Sequence, residues 1–253
     1  MQIFHNLAEW RQVRKNLPQS LSLGFVPTMG NLHPGHVSLF TVSQQENNYT
    51  AVSIFVNPTQ FNHQPDFNSY PRTLVADLAL LQQTQIDYCL LPDQDAIYHD
   101  DYHYHIEETN KSLHLEGKQR PGHFTGVLTI VMKLLNLVKP HRSYFGEKDY
   151  QQYQLIRDMV SAFFMDIEIK VCPTMRESSG LAYSSRNQRL NPEQRLLAEQ
   201  FAQIICQRKA CEQIIVELEK LGIMVEYVTD HEYRRYAAVS IDGIRLIDNL
   251  IMS

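Results

Sequence analysis

Short apolar runs alternate along most of the chain with longer stretches in which apolar residues recur every three to four positions. Residues 21–28 (LSLGFVPT) and 49–57 (YTAVSIFVN) have the length and composition of buried strands. Residues 34–47 lie between them and open on Pro34. Proline suits the first turn of a helix, where the N–H it lacks would have no partner. A strand, helix and strand joined this closely make a crossover unit, so the two strands must be parallel.

The alternation continues. Residues 71–84 carry Leu74, Leu78 and Leu81 at helical spacing, and residues 87–91 read as a strand. Residues 122–138 place Val127, Ile130, Val131, Leu134, Leu135 and Val138 on one broad helical face. A strand at 142–146, a helix at 150–164 and a strand at 167–173 follow. The fold class this predicts is α/β, a doubly wound, Rossmann-like parallel sheet. After about residue 175 the pattern changes. Residues 192–222 read as one amphipathic helix, and 225–229 and 236–247 as strands with a turn at Asp242-Gly243. Two domains are expected, 1–175 and a smaller α+β lid at 176–253, with Gly180 and the nearby serines as the hinge.

Composition narrows the function. Hydrophobic residues make up 43% of the 253 and charged residues 20%, as in a soluble globular protein. The net charge is −5 and no long basic run occurs, which argues against nucleic acid as a partner. A small anion needs only a local cation or a helix N-terminus. Cys89, Cys172, Cys206 and Cys211 form no C-x-x-C pair; they are expected to be reduced and mostly buried, which fits a cytoplasmic location. The first sixteen residues carry Glu9, Arg11, Arg14 and Lys15 and no apolar core, unlike a signal peptide. No apolar run approaches the roughly 18 residues of a membrane span.

Three segments carry candidate chemistry. The first is Met29-Gly30-Asn31-Leu32-His33-Pro34-Gly35-His36, where the first strand gives way to a helix. In a parallel sheet that is the ligand-binding edge. Gly35 permits close backbone approach, and His33 and His36, three apart, can face one side of the helix start. Imidazolium groups and free helix N–H donors would together suit a polyphosphate; a capping His33 and a half-buried His36 are the plainer alternative. The second segment, Gly146-Glu147-Lys148-Asp149-Tyr150-Gln151-Gln152, is another strand-to-helix junction. Lys148 offers a compact positive charge. Asp149 suits Mg²⁺, a ribose hydroxyl or a helix cap, and an ordinary solvated pair is the alternative. The third, Gly180-Leu181-Ala182-Tyr183-Ser184-Ser185-Arg186-Asn187, puts two hydroxyls and a guanidinium in a glycine-led loop, which also describes a plain interdomain loop.

The His-x-Gly-His element followed late by Ser-Ser-Arg resembles the nucleotidylyl-transferring superfamily of the class I aminoacyl-tRNA synthetases. Further segments narrow the resemblance: 53–61 (SIFVNPTQF), Leu115-Glu116-Gly117 with Arg120-Pro121-Gly122-His123-Phe124, and Arg245-Leu246-Ile247-Asp248-Asn249. In this order, across nearly the whole chain, they resemble the pantothenate synthetase family. That resemblance implies ATP-dependent condensation of pantoate with β-alanine through a pantoyl adenylate, in a homodimer that uses Mg²⁺. It implies ATP contacts at Met29, Gly30, Asn31, Leu32, His33, Pro34, Gly35 and His36, with His36 as proton donor. Gly146, Glu147, Lys148, Asp149, Met175, Tyr183, Ser184, Ser185 and Arg186 would complete the ATP site. Gln60 and Gln152 would hold pantoate, and Gln60 also β-alanine. Catalysis would fall to His36, His33, Lys148, Ser184, Ser185 and Arg186. No protein nucleophile is required.

Three positions depart from the family pattern: Tyr183 where Met is common, Thr125 where Asp is common, and Asn62 where Gly is common. The stretch 226–238 also reads unlike the family. Two rival functions remain: a nucleotidyltransferase that leaves adenylyl on its product, and a non-catalytic nucleotide-binding module. His103 and His105 alternate as on a strand face, but no further ligand pair accompanies them, so an exposed polar strand and loop is expected.

Overall fold

The computed structural model describes residues 1–252. Its elements are β1 (Gln2–Phe4), α1 (Leu7–Asn16), β2 (Leu23–Thr28), α2 (Pro34–Glu46), β3 (Tyr49–Ile54), α3 (Gln64–Ser69), α4 (Leu74–Gln83), β4 (Tyr88–Leu90), α5 (Gln94–Ile97), α6 (Leu115–Gln119), α7 (His123–Val138), β5 (Arg142–Gly146), α8 (Tyr150–Ala162), β6 (Glu168–Cys172), α9 (Pro192–Ile205), α10 (Cys211–Lys220), β7 (Met224–His231), β8 (Arg234–Ile241) and β9 (Ile244–Ile251). They form two compact units. The first comprises Met1–Leu32, His36–Gly146 and Gln151–Cys172; the second comprises His33–Gly35, Glu147–Tyr150 and the chain from Pro173 onward.

The first unit is a six-stranded parallel sheet in the order β1-β4-β3-β2-β5-β6. Successive strand residues point to opposite faces, and here both faces are covered. Phe25, Ala51, Tyr88, Leu90 and Phe145 join the apolar faces of α1, α7 and α8 on one side. Val26, Val52, Cys89 and Tyr144 join α2 and α4 on the other. The continuous apolar runs along the chain follow from this double burial. The strand β1 and the helix α1 have no counterpart in the sequence pattern. Three residues are too short for a period, and α1 is held in place through Trp10, which is fully buried and donates Nε1–H to Leu137 O at 3.1 Å.

Strand order reverses between β2 and β5. Pairing there is registered only at Gly24–Arg142 and Phe25–Ser143, whereas β2 and β3 pair over six positions. The sequence supplies a cause. Leu23 O accepts from His141 N on the β5 side, and Thr28 O from Phe55 N on the β3 side. Backbone groups alternate along a strand, so position 27 faces β5, and Pro27 has no N–H to offer it. The carboxyl halves of β2 and β5 therefore part, at the switch point where ligands bind in such sheets.

In the second unit, β7, β8 and β9 form an antiparallel sheet. Its face is packed by Phe201 and Ile205 of α9 and Ile214 and Leu218 of α10. The turn expected at Asp242-Gly243 is present, with φ of 47° and 81°, the left-handed pair of a tight hairpin.

Several expectations need correction. The single helix over 192–222 is two helices, broken between Ile205 and Cys211. The interruption exposes backbone carbonyls, and Arg235 collects them. Its guanidinium donates to Ile205 O (3.4 Å), Gln207 O (2.9 Å) and Lys209 O (2.7 Å), and pairs with Asp230 through two bonds of 2.8 and 2.9 Å. A buried arginine far downstream leaves no mark on helical periodicity. The cysteines are all free, but only Cys89 and Cys172 are buried; Cys206 is exposed. His103 and His105 lie in irregular chain rather than on a strand.

Arg235 is 2% exposed. Arg235→Met, which keeps the apolar stem, removes the donors to the Ile205 and Lys209 carbonyls and the partner of Asp230, and the expected loss of unfolding free energy is about 3 kcal/mol. Urea denaturation measures it; a loss under roughly 0.5 kcal/mol contradicts the role assigned to Arg235.

Candidate active site

In the first unit the segment after β2 is shaped by one buried carboxylate. Asp77 of α4, 3% exposed, accepts from Asn31 N at 2.9 Å and Leu32 N at 2.8 Å. Thr73 Oγ1 donates to the same carboxylate at 3.1 Å. These bonds hold two successive N–H groups that belong to neither strand nor helix, and they stabilise Asn31 in the left-handed region at φ 50°. Sequence reasoning missed Asp77, which sits one residue before Leu78 in an apolar stripe.

Gln60 ends a short 3-10 turn, Pro58–Gln60. Its Oε1 accepts from Asn57 Nδ2 at 3.0 Å, and its Nε2 lies 3.2 Å from Met29 Sδ. Its backbone carbonyl is held by His123 Nδ1 at 2.8 Å and by Arg120 Nη2 at 3.2 Å, while Arg120 Nη1 lies 3.2 Å from His123 Nε2. An arginine only donates, so Nε2 must accept and the proton sits on Nδ1, aimed at Gln60 O. The Arg120–Phe124 segment thus braces Gln60. Gly126 completes the fit: a Cβ there would meet Thr59 O at 2.3 Å. Asn62 donates through Nδ2 to Pro121 O, a tie across the same loops. Nothing in the structure explains Thr125.

The adjacent glutamines of α8 divide the work. Gln151 is buried and fully engaged, accepting from Glu116 N at 3.0 Å and donating to Lys111 O and His114 O at 2.9 and 2.8 Å. Gln152 is half-buried and takes no part in that lock. His36 lies in the first turn of α2 and is also half-buried.

In the second unit, His33 and Gly35 meet Tyr183. The His33 and Tyr183 rings stack with centroids 6.2 Å apart and planes 19° apart. A Cβ on Gly35 would lie 3.0 Å from the His33 ring and 3.6 Å from Tyr183 Cβ, so the glycine admits both rings. Burial first, and the Lys148 charge second, push the His33 imidazolium down to about 4 against a partial opposing pull from Asp149. His33 is therefore a neutral donor or acceptor at pH 7, which corrects the imidazolium expected from sequence.

Lys148 is 17% exposed and Asp149 46%, with 4.0 Å between their charged atoms. Asn249 Nδ2 donates to both Glu147 O (2.9 Å) and Lys148 O (2.7 Å), fixing the turn that carries the ammonium. The later loop is fixed as well. Gly180, at φ 91°, turns a tight hairpin in which Glu177 N bonds Leu181 O. Met175, itself exposed, accepts from Tyr183 N through its backbone carbonyl at 3.1 Å. Ser184 caps the following turn through Arg186 N at 3.3 Å, Ser185 is buried, and Asn187 donates to Ala182 O at 3.0 Å. The second unit thus gathers His33, Lys148, Asp149, Tyr183, Ser184, Ser185 and Arg186, whereas Met29, Gln60, His36 and Gln152 belong to the first. Among the described residues no cluster of three His, Cys, Asp or Glu is arranged to hold a metal ion.

Comparison with known proteins agrees with the family resemblance. Residues 2–251 match the family model described as pantoate-beta-alanine ligase. A pantothenate synthetase of Legionella pneumophila is 60% identical over 252 residues, covering all of both chains. One from Coxiella burnetii is 50% identical over 249 residues, covering 98% of this chain and 96% of its own. Among solved structures, the pantoate-beta-alanine ligase of Francisella tularensis, complexed with beta-gamma ATP and β-alanine, aligns with a TM-score of 0.97 at 40% identity, over 99% and 97% of the two chains. The pantothenate synthetase of Thermus thermophilus aligns at 0.90 and 35%, over 99% of each.

Two outcomes test the local chemistry. Asp77→Asn turns an amide donor toward backbone N–H groups, so amide exchange at Asn31 and Leu32 should accelerate at least about tenfold, the equivalent of ~1.4 kcal/mol. Unchanged protection removes Asp77 as the anchor. The His33 ring, followed by NMR, should titrate near 4 and move upward in Lys148→Ala. Because its folded value is depressed, the stability of neutral His33 is complete above the unfolded value of roughly 6.5 and is lost as pH falls toward the folded one. A midpoint at the unfolded value contradicts the burial argument.

Proposed function

The chain belongs to the pantoate–β-alanine ligase family, and from that premise we propose that it condenses pantoate with β-alanine at the expense of ATP through a pantoyl adenylate. The observation that carries the reading is the near-complete structural match to a ligase solved with beta-gamma ATP and β-alanine.

The residues suit the two steps. In the first, the pantoate carboxylate attacks the α-phosphorus of ATP and diphosphate leaves. Charge accumulates on phosphate oxygens, and fixed donors stabilise it best where water is excluded. Lys148 and Arg186 supply positive charge. Neutral His33, with His36, Ser184 and Ser185, supplies directed hydrogen bonds, and the 29–36 segment (Met29, Gly30, Asn31, Leu32, Pro34 and Gly35 among them) lines the nucleotide. Gly146, Glu147, Asp149, Met175 and Tyr183 complete its surroundings. Gln60 and Gln152 orient pantoate through uncharged amides, which leave the carboxylate nucleophilic. In the second step the β-alanine amine, held by Gln60, attacks the activated carbonyl and AMP departs with the bonding pair of the broken C–O bond.

Mg²⁺ fits this set. Asp149 is a single half-exposed carboxylate, and magnesium on a nucleotide takes one or two carboxylates besides phosphate oxygens. When bound it would neutralise phosphate charge. A homodimer working in the cytoplasm completes the proposal.

The test is pantoate-dependent exchange of labelled diphosphate into ATP, followed by addition of β-alanine. Exchange and then pantothenate with AMP support the ligase. Adenylyl retained on the final product supports a nucleotidyltransferase, and ATP binding without turnover supports a binding module. Lys148→Ala and His36→Ala should each lose exchange by about 3 kcal/mol in barrier or more; near-wild-type exchange in both overturns their assignment.

A further inference from the structure

Arg234 and Asn249 are buried, at 7% and 4% exposure, yet neither belongs to the second unit's apolar core. Asn249 is satisfied in a way that fixes its orientation. Its Nδ2 gives both hydrogens to the carbonyls of Glu147 and Lys148, and its Oδ1 accepts from Arg234 Nη1. Arg234 Nη2 donates to Glu147 Oε1 at 2.8 Å, and the guanidinium lies 3.9 Å from the centroid of the Tyr150 ring. The turn that bears Lys148 is thus held at two successive carbonyls, one carboxylate and one ring. The preceding residue, Asp248, pairs with Arg176 at 2.6 and 2.9 Å, and Arg176 also donates to Gly180 O at 3.0 Å. One dipeptide of β9 therefore anchors both the Lys148 turn and the hairpin that leads into Tyr183–Arg186.

We propose that Asn249 and Arg234 are positioning residues for adenylation: they hold the Lys148 turn so that the ammonium meets the triphosphate without first being ordered. The inference rests on the role given to Lys148 above. A flexible lysine would have to lose side-chain and turn entropy in the transition state, and a preorganised one has already done so. The effect belongs to the step in which phosphate charge builds. Aminolysis of a pantoyl adenylate already formed has no triphosphate and should be indifferent to it.

The experiment compares Asn249→Asp, Asn249→Ser and Arg234→Lys with Lys148→Ala in both half-reactions: pantoate-dependent diphosphate exchange, and attack of β-alanine on separately prepared pantoyl adenylate. Asn249→Asp keeps an acceptor for Arg234 but loses both donors to the turn. Its exchange kcat should fall about tenfold or more, a loss of transition-state stabilisation, with aminolysis within about twofold of wild type. Asn249→Ser restores one donor, and Arg234→Lys keeps the charge without the fork, so both should fall between. Equal loss in the two half-reactions, or undiminished exchange in Asn249→Asp, overturns the proposal. Should Asn249→Asp fail to fold, the split or its absence in Asn249→Ser and Arg234→Lys decides. Full exchange in Lys148→Ala removes the underlying reading of Lys148 as well. Loss in Lys148→Ala with none in the other variants removes the positioning inference alone.

Discussion

Backbone that leaves a strand at the ligand edge of a parallel sheet carries polar groups with no ladder to receive them, and this constraint governs the molecule. Helices satisfy most of their own N–H and C=O groups, and so do paired strands; the segment after β2 is neither, and those after β3 and β5 are single 3-10 turns. Each is held by a side chain of complementary polarity. A carboxylate, Asp77, receives the N–H groups of Asn31 and Leu32. His123 and Arg120 serve the carbonyl of Gln60, and the Asn249 amide serves the carbonyls of Glu147 and Lys148. The polarity is matched each time: an acceptor for N–H groups, donors for C=O groups. The cost of leaving such groups unmet is about 1–3 kcal/mol each, so these anchors are stability determinants as well as site architecture.

The same reasoning explains the electrostatics. Burial that shapes a loop also depresses the charge a side chain can carry there. His33 is packed against Tyr183 and feels the Lys148 ammonium, so it is neutral at physiological pH. The positive charge is left to Lys148 and Arg186.

Periodicity revealed the fold because both faces of the sheet are apolar and each crossover helix shows its own stripe. It placed the candidate residues Gly35, Lys148 and Ser184 at strand ends and in loops, where the structure also has them. It did not reveal the anchors. Asp77 lies inside a helical apolar stripe, Asn57 and Gln151 read as ordinary polar residues, and Arg235 is a charge in a strand whose every residue is buried. Each also has partners distant in sequence: Asp77 reaches Asn31 and Leu32, Asn57 reaches Gly126, Gln151 reaches Lys111 and Glu116, and Arg235 reaches Ile205 and Lys209, so no local window contains both halves of those interactions. The break between α9 and α10 was hidden for the same reason: its stabiliser is in β8. Adjacent Gln151 and Gln152 make the limit concrete. One is consumed in holding α6 and the turn before it, and the other is left half-exposed. Residue type is identical, and only the helix phase relative to α6 separates the engaged amide from the half-exposed one.

Two of the positions that depart from the family pattern, Asn62 and Tyr183, belong to the same system of anchors, and so does Arg234. Asn62 adds a side-chain tie to Pro121 O, next to the arginine and histidine that brace Gln60. Tyr183 presents a ring where a flexible thioether is common, and the ring stacks on His33. Arg234 comes from the stretch 226–238, which reads unlike the family, yet it is the residue that orients Asn249. In all three, a group with more fixed geometry is placed beside a loop that must stay ordered. An aromatic ring has two side-chain torsions and a guanidinium a planar fork, so each loses less freedom per contact than a flexible chain. Asn62, Tyr183 and Arg234 thus act on how firmly the loops beside them are held.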